Sequence, residues 1–169
     1  MGAMTSRAEA ADMPNDQTET PDRLRRRASR LLSLISAQSD RLVSEGLGRL
    51  DARKWHYAVL ASLQEYGPDS QATLSRRTGI YRSDMVGVLN ELAERDFIER
   101  APDPEDRRRN VITITTQGRQ HLRRLDKILD DLHDELLAPL TSAEREQFTQ
   151  TLTRLLDHHT RQAPHPPIS

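Results

Sequence analysis

The segment Asp103–Gly118 reads DPEDRRRNVITITTQG, and the rest of the chain is best interpreted outward from it. Three acids and a proline lead into Arg107-Arg108-Arg109, then a β-branched run from Val111 to Thr115, then Thr116-Gln117-Gly118 opening a helix. β-branched residues suit a pleated strand. Phe97–Arg100 just upstream supplies its partner, so the two predict a hairpin with Ala101–Asn110 as its loop. Three arginines at a hairpin tip are poorly suited to a core and well suited to a phosphate backbone.

Upstream of the hairpin, Ser70–Arg77 predicts a short helix with Leu74 inward, turning at Thr78-Gly79 into a second helix over Arg82–Arg95. Met85, Val88, Leu89 and Leu92 form an i, i+3, i+4, i+7 stripe. At 100° per residue the opposite face is Ser83, Gly87, Asn90 and Glu94, small or polar side chains that allow close approach to base edges. An ordinary solvated face would look the same in isolation. Two short helices followed at once by a basic hairpin have the layout of a winged helix-turn-helix that binds DNA.

Charge placement supports this reading where the net charge of −1 does not. Between Ser70 and Arg124 stand 11 arginines against 8 acids; from Leu125 to Ser169 there are 4 basic residues against 8 acids. The chain has no cysteine, which excludes disulfides, thiolate metal sites and thiol redox sensing. No run of roughly 18 apolar residues and no signal peptide is evident, so a cytoplasmic location without membrane contact is expected. No glycine-rich phosphate loop, nucleophile elbow or HExxH sequence occurs, so no enzyme activity and no cofactor are expected. Asp130, His133 and Asp134 share a helical face but read better as a solvated acidic surface than as metal ligands.

Leucine-rich helices flank this centre. Thr20-Pro21 opens one that carries Leu24, Ala28, Leu31, Ile35 and Leu42 and ends near Glu45-Gly46. A helix over about Asp51–Tyr66 places Trp55, Val59, Leu60 and Leu63 on one face and stops at Gly67-Pro68-Asp69. Thr116–Leu137 carries Leu122, Leu125, Leu129, Leu132 and Leu136 at spacings of 3, 4, 3 and 4, a coiled-coil-like seam. After Pro139, Thr141-Ser142-Ala143-Glu144 is a capping box for a last helix bearing Phe148, Leu152, Leu155 and Leu156. This is more leucine than one small domain can cover. A second copy of the chain would bury it, with Leu24, Leu31, Ile35, Leu125, Leu129, Leu132, Phe148 and Leu152 as the expected dimer interface.

The helix order, the leucine-rich ends, the Asp106-Arg107-Arg108 tip and the Ile114-Thr115-x-x-Gly118 exit resemble the MarR family of transcriptional regulators over roughly Leu24–His158. The resemblance implies a mainly α fold with a small β-hairpin wing: a winged helix-turn-helix over 51–118, and dimerisation helices over 20–46 and 119–160. Flexible tails are expected over 1–19 and 161–169. It further implies a homodimer on pseudo-palindromic double-stranded DNA, most often a repressor, released by a small aromatic or phenolic effector. Residue by residue, Asp106 corresponds to the aspartate that orients the wing arginine, and Arg108 to the arginine that enters the minor groove. Arg107 and Arg109 then lie near phosphates. Ser83 and Gly87 face the major groove together with Arg82 and Asn90, and Ser70 and Gln71 meet the backbone. Tyr81 departs from the serine or aspartate common at its position. Either its hydroxyl bonds a phosphate or the helix begins elsewhere. Trp55 and His56 lie where the family's effector pocket opens; the alternative is Trp55 in the core and His56 on the surface. The rival function is a winged helix used only for protein contact, which leaves three arginines at one loop unexplained.

Overall fold

A computed structural model describes residues 20–104 and 110–162. The expected tail over 1–19, residues 163–169 of the tail expected over 161–169, and the wing tip Asp106–Arg109 lie outside the described residues. Among the described residues, seven helices and three strands follow one another as α1 Asp22–Arg25, α2 Ala28–Gly48, α3 Lys54–Tyr66, β1 Asp69–Ser70, α4 Gln71–Thr78, α5 Arg82–Glu94, β2 Ile98–Pro102, β3 Asn110–Ile114, α6 Thr116–Leu136 and α7 Ser142–Gln162. The chain divides into two compact units, one up to Asp40 and one from Arg41 onward.

In the first unit the single helix expected from Thr20 is broken. The backbone N–H of Arg26 closes α1 onto the Leu24 carbonyl, and α2 starts afresh at Ala28. Several apolar residues here stand exposed: Leu24 is 48%, Leu31 45% and Ile35 46% exposed.

In the second unit one core gathers Leu47, Val59, Leu60, Leu63, Leu74, Met85, Leu89, Leu92, Ile112, Ile114, Leu122 and Leu125. The stripe on α5 points inward as its spacing requires. The stripe on α3 is shifted by one residue: His56 is buried with Val59, Leu60 and Leu63, whereas Trp55 stays 46% exposed. His56, Val59, Leu60 and Leu63 stand at i, i+3, i+4 and i+7. A histidine can hold such a position because each ring nitrogen finds a partner.

The hairpin pairs Ile98 with Ile114 and Arg100 with Ile112, and it reaches two residue pairs farther than expected, through Ala101 opposite Val111 to Pro102 opposite Asn110. A third strand, not expected, lies on its other side: β1 pairs Asp69 with Ile112 and Ser70 with Val111, giving the antiparallel order β1-β3-β2. Two residues are too short for an alternating pattern to register.

The hairpin leads straight into α6. Thr115 Oγ1 accepts from the Gly118 N–H at 2.9 Å and donates to the Asp96 carbonyl at 2.6 Å, so one side chain caps α6 and ties it to the start of the wing. A Cβ on Gly118 would stand 2.1 Å from the Phe97 carbonyl oxygen. Only glycine fits this approach of helix to strand.

The leucine seam of α6, expected at the dimer interface, lies largely against the chain's own core. Leu125 is fully buried, Leu122 5% and Leu132 8% exposed, and Leu129 packs on the same core. Leu132 closes over Gly46 near the end of α2, where a Cβ would lie 2.5 Å from Leu132 Cδ1. Leu125 and Leu132 are thus covered within their own chain. The capping box of α7 forms as read: the Thr141 N–H donates to Glu144 Oε2 at 2.8 Å and the Glu144 N–H to Thr141 Oγ1 at 3.4 Å. This helix continues through Arg161 and Gln162, so those two residues belong to it rather than to a tail. From Thr149 to Arg161 every residue of α7 is exposed, Leu152, Leu155 and Leu156 among them.

Candidate nucleic-acid interface

Local chemistry holds the helix-turn-helix rigid. Ser70 caps α4 by accepting from the Thr73 N–H at 3.3 Å. Arg77 anchors the other end: its guanidinium donates to Asp69 Oδ2 at 2.6 Å and lies 4.3 Å over the ring of Tyr66. The turn into α5 runs through Gly79 at φ +71°, left-handed backbone that glycine adopts without cost. Ser75 Oγ then donates to the Ile80 carbonyl across the turn. Tyr81 precedes α5 without capping it and is 79% exposed, so its hydroxyl is presented outward.

On α5 the face opposite the core is open. Arg82, Ser83, Gly87, Asn90 and Glu94 are all exposed, and no atom lies within 4 Å of where a Gly87 Cβ would stand. Gly87 is thus not required by packing; what it provides is a flat outer surface. Asn90 is engaged on one side: its Oδ1 accepts from Arg100 Nη2 on β2 at 2.8 Å. Ser70, Gln71, Leu89, Arg100, Asn110 and Ile112 line a groove of about 290 Å³ between the start of α4 and the root of the wing. The structure thus brings Ser70, Gln71 and Asn90 to one region, with Ser83 and Gly87 on the same exposed helix face.

Behind this surface lies a polar joint that sequence reasoning did not find. The Arg53 N–H donates to His56 Nδ1 at 3.1 Å, so the neutral ring carries its proton on Nε2 and donates to Glu91 Oε2 at 2.8 Å. The Arg53 guanidinium donates to the same carboxylate oxygen. Burial holds the His56 pKa below its ordinary value despite the neighbouring Glu91, and the Arg53 hydrogen bond lowers that of Glu91. His121, on α6, stacks on Phe97 at 4.2 Å. Its pKa too is lowered, first by burial and then by Arg95, Arg124 and His56. Arg95 donates to the carbonyls of Asp51 and Leu50 at 2.6 and 3.1 Å and lies over the Phe97 ring. The end of α5 is thereby tied to the segment before α3.

These placements change the expectation for Trp55 and His56. His56 is enclosed with both ring nitrogens engaged, while Trp55 faces out, the reverse of the alternative that put Trp55 in the core. The residues missed are Arg53, Glu91, Arg95 and Arg100. Each is a charged side chain acting on a partner 10 to 45 positions away. The only signal for Arg100 was its place on the strand beside the helix it touches.

No helix among the described residues is long and apolar enough to cross a membrane. A sequence model described as MarR family matches residues 46–109. The multiple antibiotic resistance protein MarR of Escherichia coli is 27% identical over 128 residues, covering 75% of this chain and 89% of the relative. The crystal structure of a single-residue mutant of that protein complexed with operator DNA superimposes with a TM-score of 0.67 at 26% identity, covering 76% of this chain and 92% of the other. The transcriptional repressor NicR of Pseudomonas putida is 26% identical over 101 residues; the match covers 60% of this chain and 64% of that protein. The PcaV regulator of Streptomyces coelicolor, crystallised with its natural ligand, gives a TM-score of 0.68 at 26% identity over 79% and 94% of the two chains. All are regulators rather than enzymes. A three-stranded winged helix-turn-helix, an open outer face on α5 and these likenesses agree, and over residues 46–109 the chain is similar to the MarR family of DNA-binding transcriptional regulators.

Proposed function

We propose that the protein is a homodimeric repressor that reads a pseudo-palindromic operator. In this reading α5 enters the major groove of each half-site, with Arg82, Ser83, Gly87 and Asn90 toward the bases. Ser70, Gln71 and Tyr81 meet the backbone. The hairpin of β2 and β3 carries Asp106–Arg109 to the adjacent minor groove and phosphates. The observation that carries it is the open outer face of α5, lined with small and polar side chains, in the same unit as the basic hairpin. The two recognition helices of a dimer must reach major grooves roughly 34–36 Å apart. Residues 51–118 serve as the DNA-binding part, and 20–46 with 119–160 as the part that joins two copies.

The dimer reading is supported by the apolar residues that the chain leaves uncovered: Leu24, Leu31 and Ile35 in the first unit, and Leu152, Leu155 and Leu156 on α7. Phe148 is half-buried and completes the α7 face. Leu125 and Leu132 no longer belong to that surface. Repression is proposed from the name of the NicR relative and operator binding from the MarR complex. Release by a small aromatic anion near Trp55 is proposed from the ligand-bound PcaV structure and the exposure of that indole.

The test is to recover and sequence the genomic DNA that the purified protein retains. A recurring inverted repeat bound by two copies is expected. Affinity for it should fall by about 10³–10⁵ between roughly 50 and 200 mM salt if some six to ten phosphates are neutralised. Retention of no recurring sequence, or a flat salt response, would overturn the reading in favour of protein contact alone.

A further inference from the structure

The bond between Asn90 and Arg100 joins the outer face of the recognition helix to the wing, and its polarity has a consequence for base choice. A guanidinium has only donors. The Asn90 atom 2.8 Å from Arg100 Nη2 is therefore the carbonyl oxygen, and the orientation of the amide follows from chemistry alone. The side-chain NH₂ of Asn90 is left for whatever approaches α5. Both residues are exposed, and Leu89 beside Asn90 is buried, so the pair stands on a backbone fixed by the core.

Asparagine reads adenine by using both ends of its amide: the oxygen accepts from N6–H while the nitrogen donates to N7. Here the oxygen is already occupied, and any amino group that seeks its second lone pair must approach a guanidinium cation. Guanine presents two acceptors in the same groove, N7 and O6. Those match the free N–H groups of Asn90 together with the unused donors of Arg100.

We propose that Asn90 and Arg100 act as one donor-only reading unit that selects guanine over adenine at one position of each operator half-site. The proposal rests on α5 being the helix that reads DNA, and it adds the base and the residues that choose it. Arg100 is a positioning residue as well as a donor, because it holds the Asn90 oxygen away from the bases.

The test is selection from a library of randomised duplexes by the full-length protein and by two variants, Asn90→Ala and Arg100→Met, each sequenced to give a base preference at every position. Wild-type protein should favour guanine at one symmetry-related pair of positions by about tenfold, the size of a good base contact. Asn90→Ala should lose that preference there and keep it elsewhere. Arg100→Met frees the oxygen, so the same position should turn to adenine. Melting temperatures of both variants should match wild type, since neither side chain is buried. If wild type selects a motif that Asn90→Ala leaves unchanged at every position, the proposal fails while the DNA reading stands. It fails equally if Arg100→Met weakens binding to all sequences alike, the behaviour of a phosphate contact. Selection of no motif by the wild-type protein would overturn the DNA reading and this inference with it.

Discussion

Helices α6 and α7 are each 21 residues long and each carry leucines on one face, yet they end in opposite circumstances. On α6 the stripe turns into the chain's own core, with Leu125 fully buried. On α7 Leu152, Leu155 and Leu156 are 36%, 45% and 68% exposed. A period of 3 and 4 announces that a face will be covered; it does not say by which molecule. The neighbours decide that, and for α6 the neighbours are α3, the wing root and Gly46. Two otherwise similar helices thus differ in what their stripes meet: one faces the folded chain, and the other stays open for the association proposed above.

The largest effect expected from this contrast is on α6. Leu125→Ala should destabilise the fold by about 2–5 kcal/mol, as a cavity in a packed core does, measurable by urea unfolding. A loss below about 1 kcal/mol would mean that α6 is not packed as described.

The complementary change on α7, Leu152→Asp with Leu155→Asp, should leave the secondary structure intact and shift the protein from dimer to monomer. Analytical ultracentrifugation at micromolar concentration reads this directly. A variant that stays dimeric would remove α7 from the interface, and a wild-type monomer would remove the interface itself.

Gly118→Ala tests the junction from which α6 departs. The added methyl meets the Phe97 backbone, which cannot swing aside as a side chain can. A cost of about 1–3 kcal/mol is expected, with DNA binding weakened as the wing root moves. Thermal melting should show it; an unchanged melting temperature would mean that the close approach is absent.

The same junction should also respond to pH. His56 and His121 are both held neutral by burial, with pKa values below 6.5 in the folded chain. Once unfolded, they take up protons at about pH 6.5. Stability is therefore complete above about pH 6.5 and declines as pH falls from there toward the lowered folded values. His121→Leu removes a buried Nε2 that has no partner and should flatten part of that decline. Unfolding midpoints recorded from about pH 7.5 down to about pH 5 would show it, and identical slopes in variant and wild type would contradict it.

The smallest effect belongs to Ser70. Ser70→Ala should cost α4 about 1 kcal/mol through the lost cap. An equilibrium unfolding curve indistinguishable from wild type would argue against that cap.

What the sequence disclosed follows the same division. Patterns carried along one element were legible: the inward stripe on α5, the Thr141–Glu144 capping box, and the hairpin flanking three arginines. The shift from Trp55 to His56 on α3 was not, because what holds His56 in the core is a partner for each ring nitrogen, and one of them, Glu91, lies 35 residues away. Nor was the break at Arg26, where a run of good helix formers gives no stop signal. The candidate DNA surface was readable in its outward residues and hidden in its supports, since Arg100 and Asn90 meet only after the wing folds back on α5.

The strand order places β2 at an open edge of the sheet, and the residues along it are Glu99, Arg100, Ala101 and Pro102. Open edges are templates for unwanted strand pairing; charges and a terminal proline discourage it. If the hairpin stays bare to lie against a nucleic acid, as proposed above, its open edge is also exposed to such pairing in a crowded solution. Glu99 and Pro102 on β2 are the kinds of residue that discourage it, a role that needs no contact with DNA.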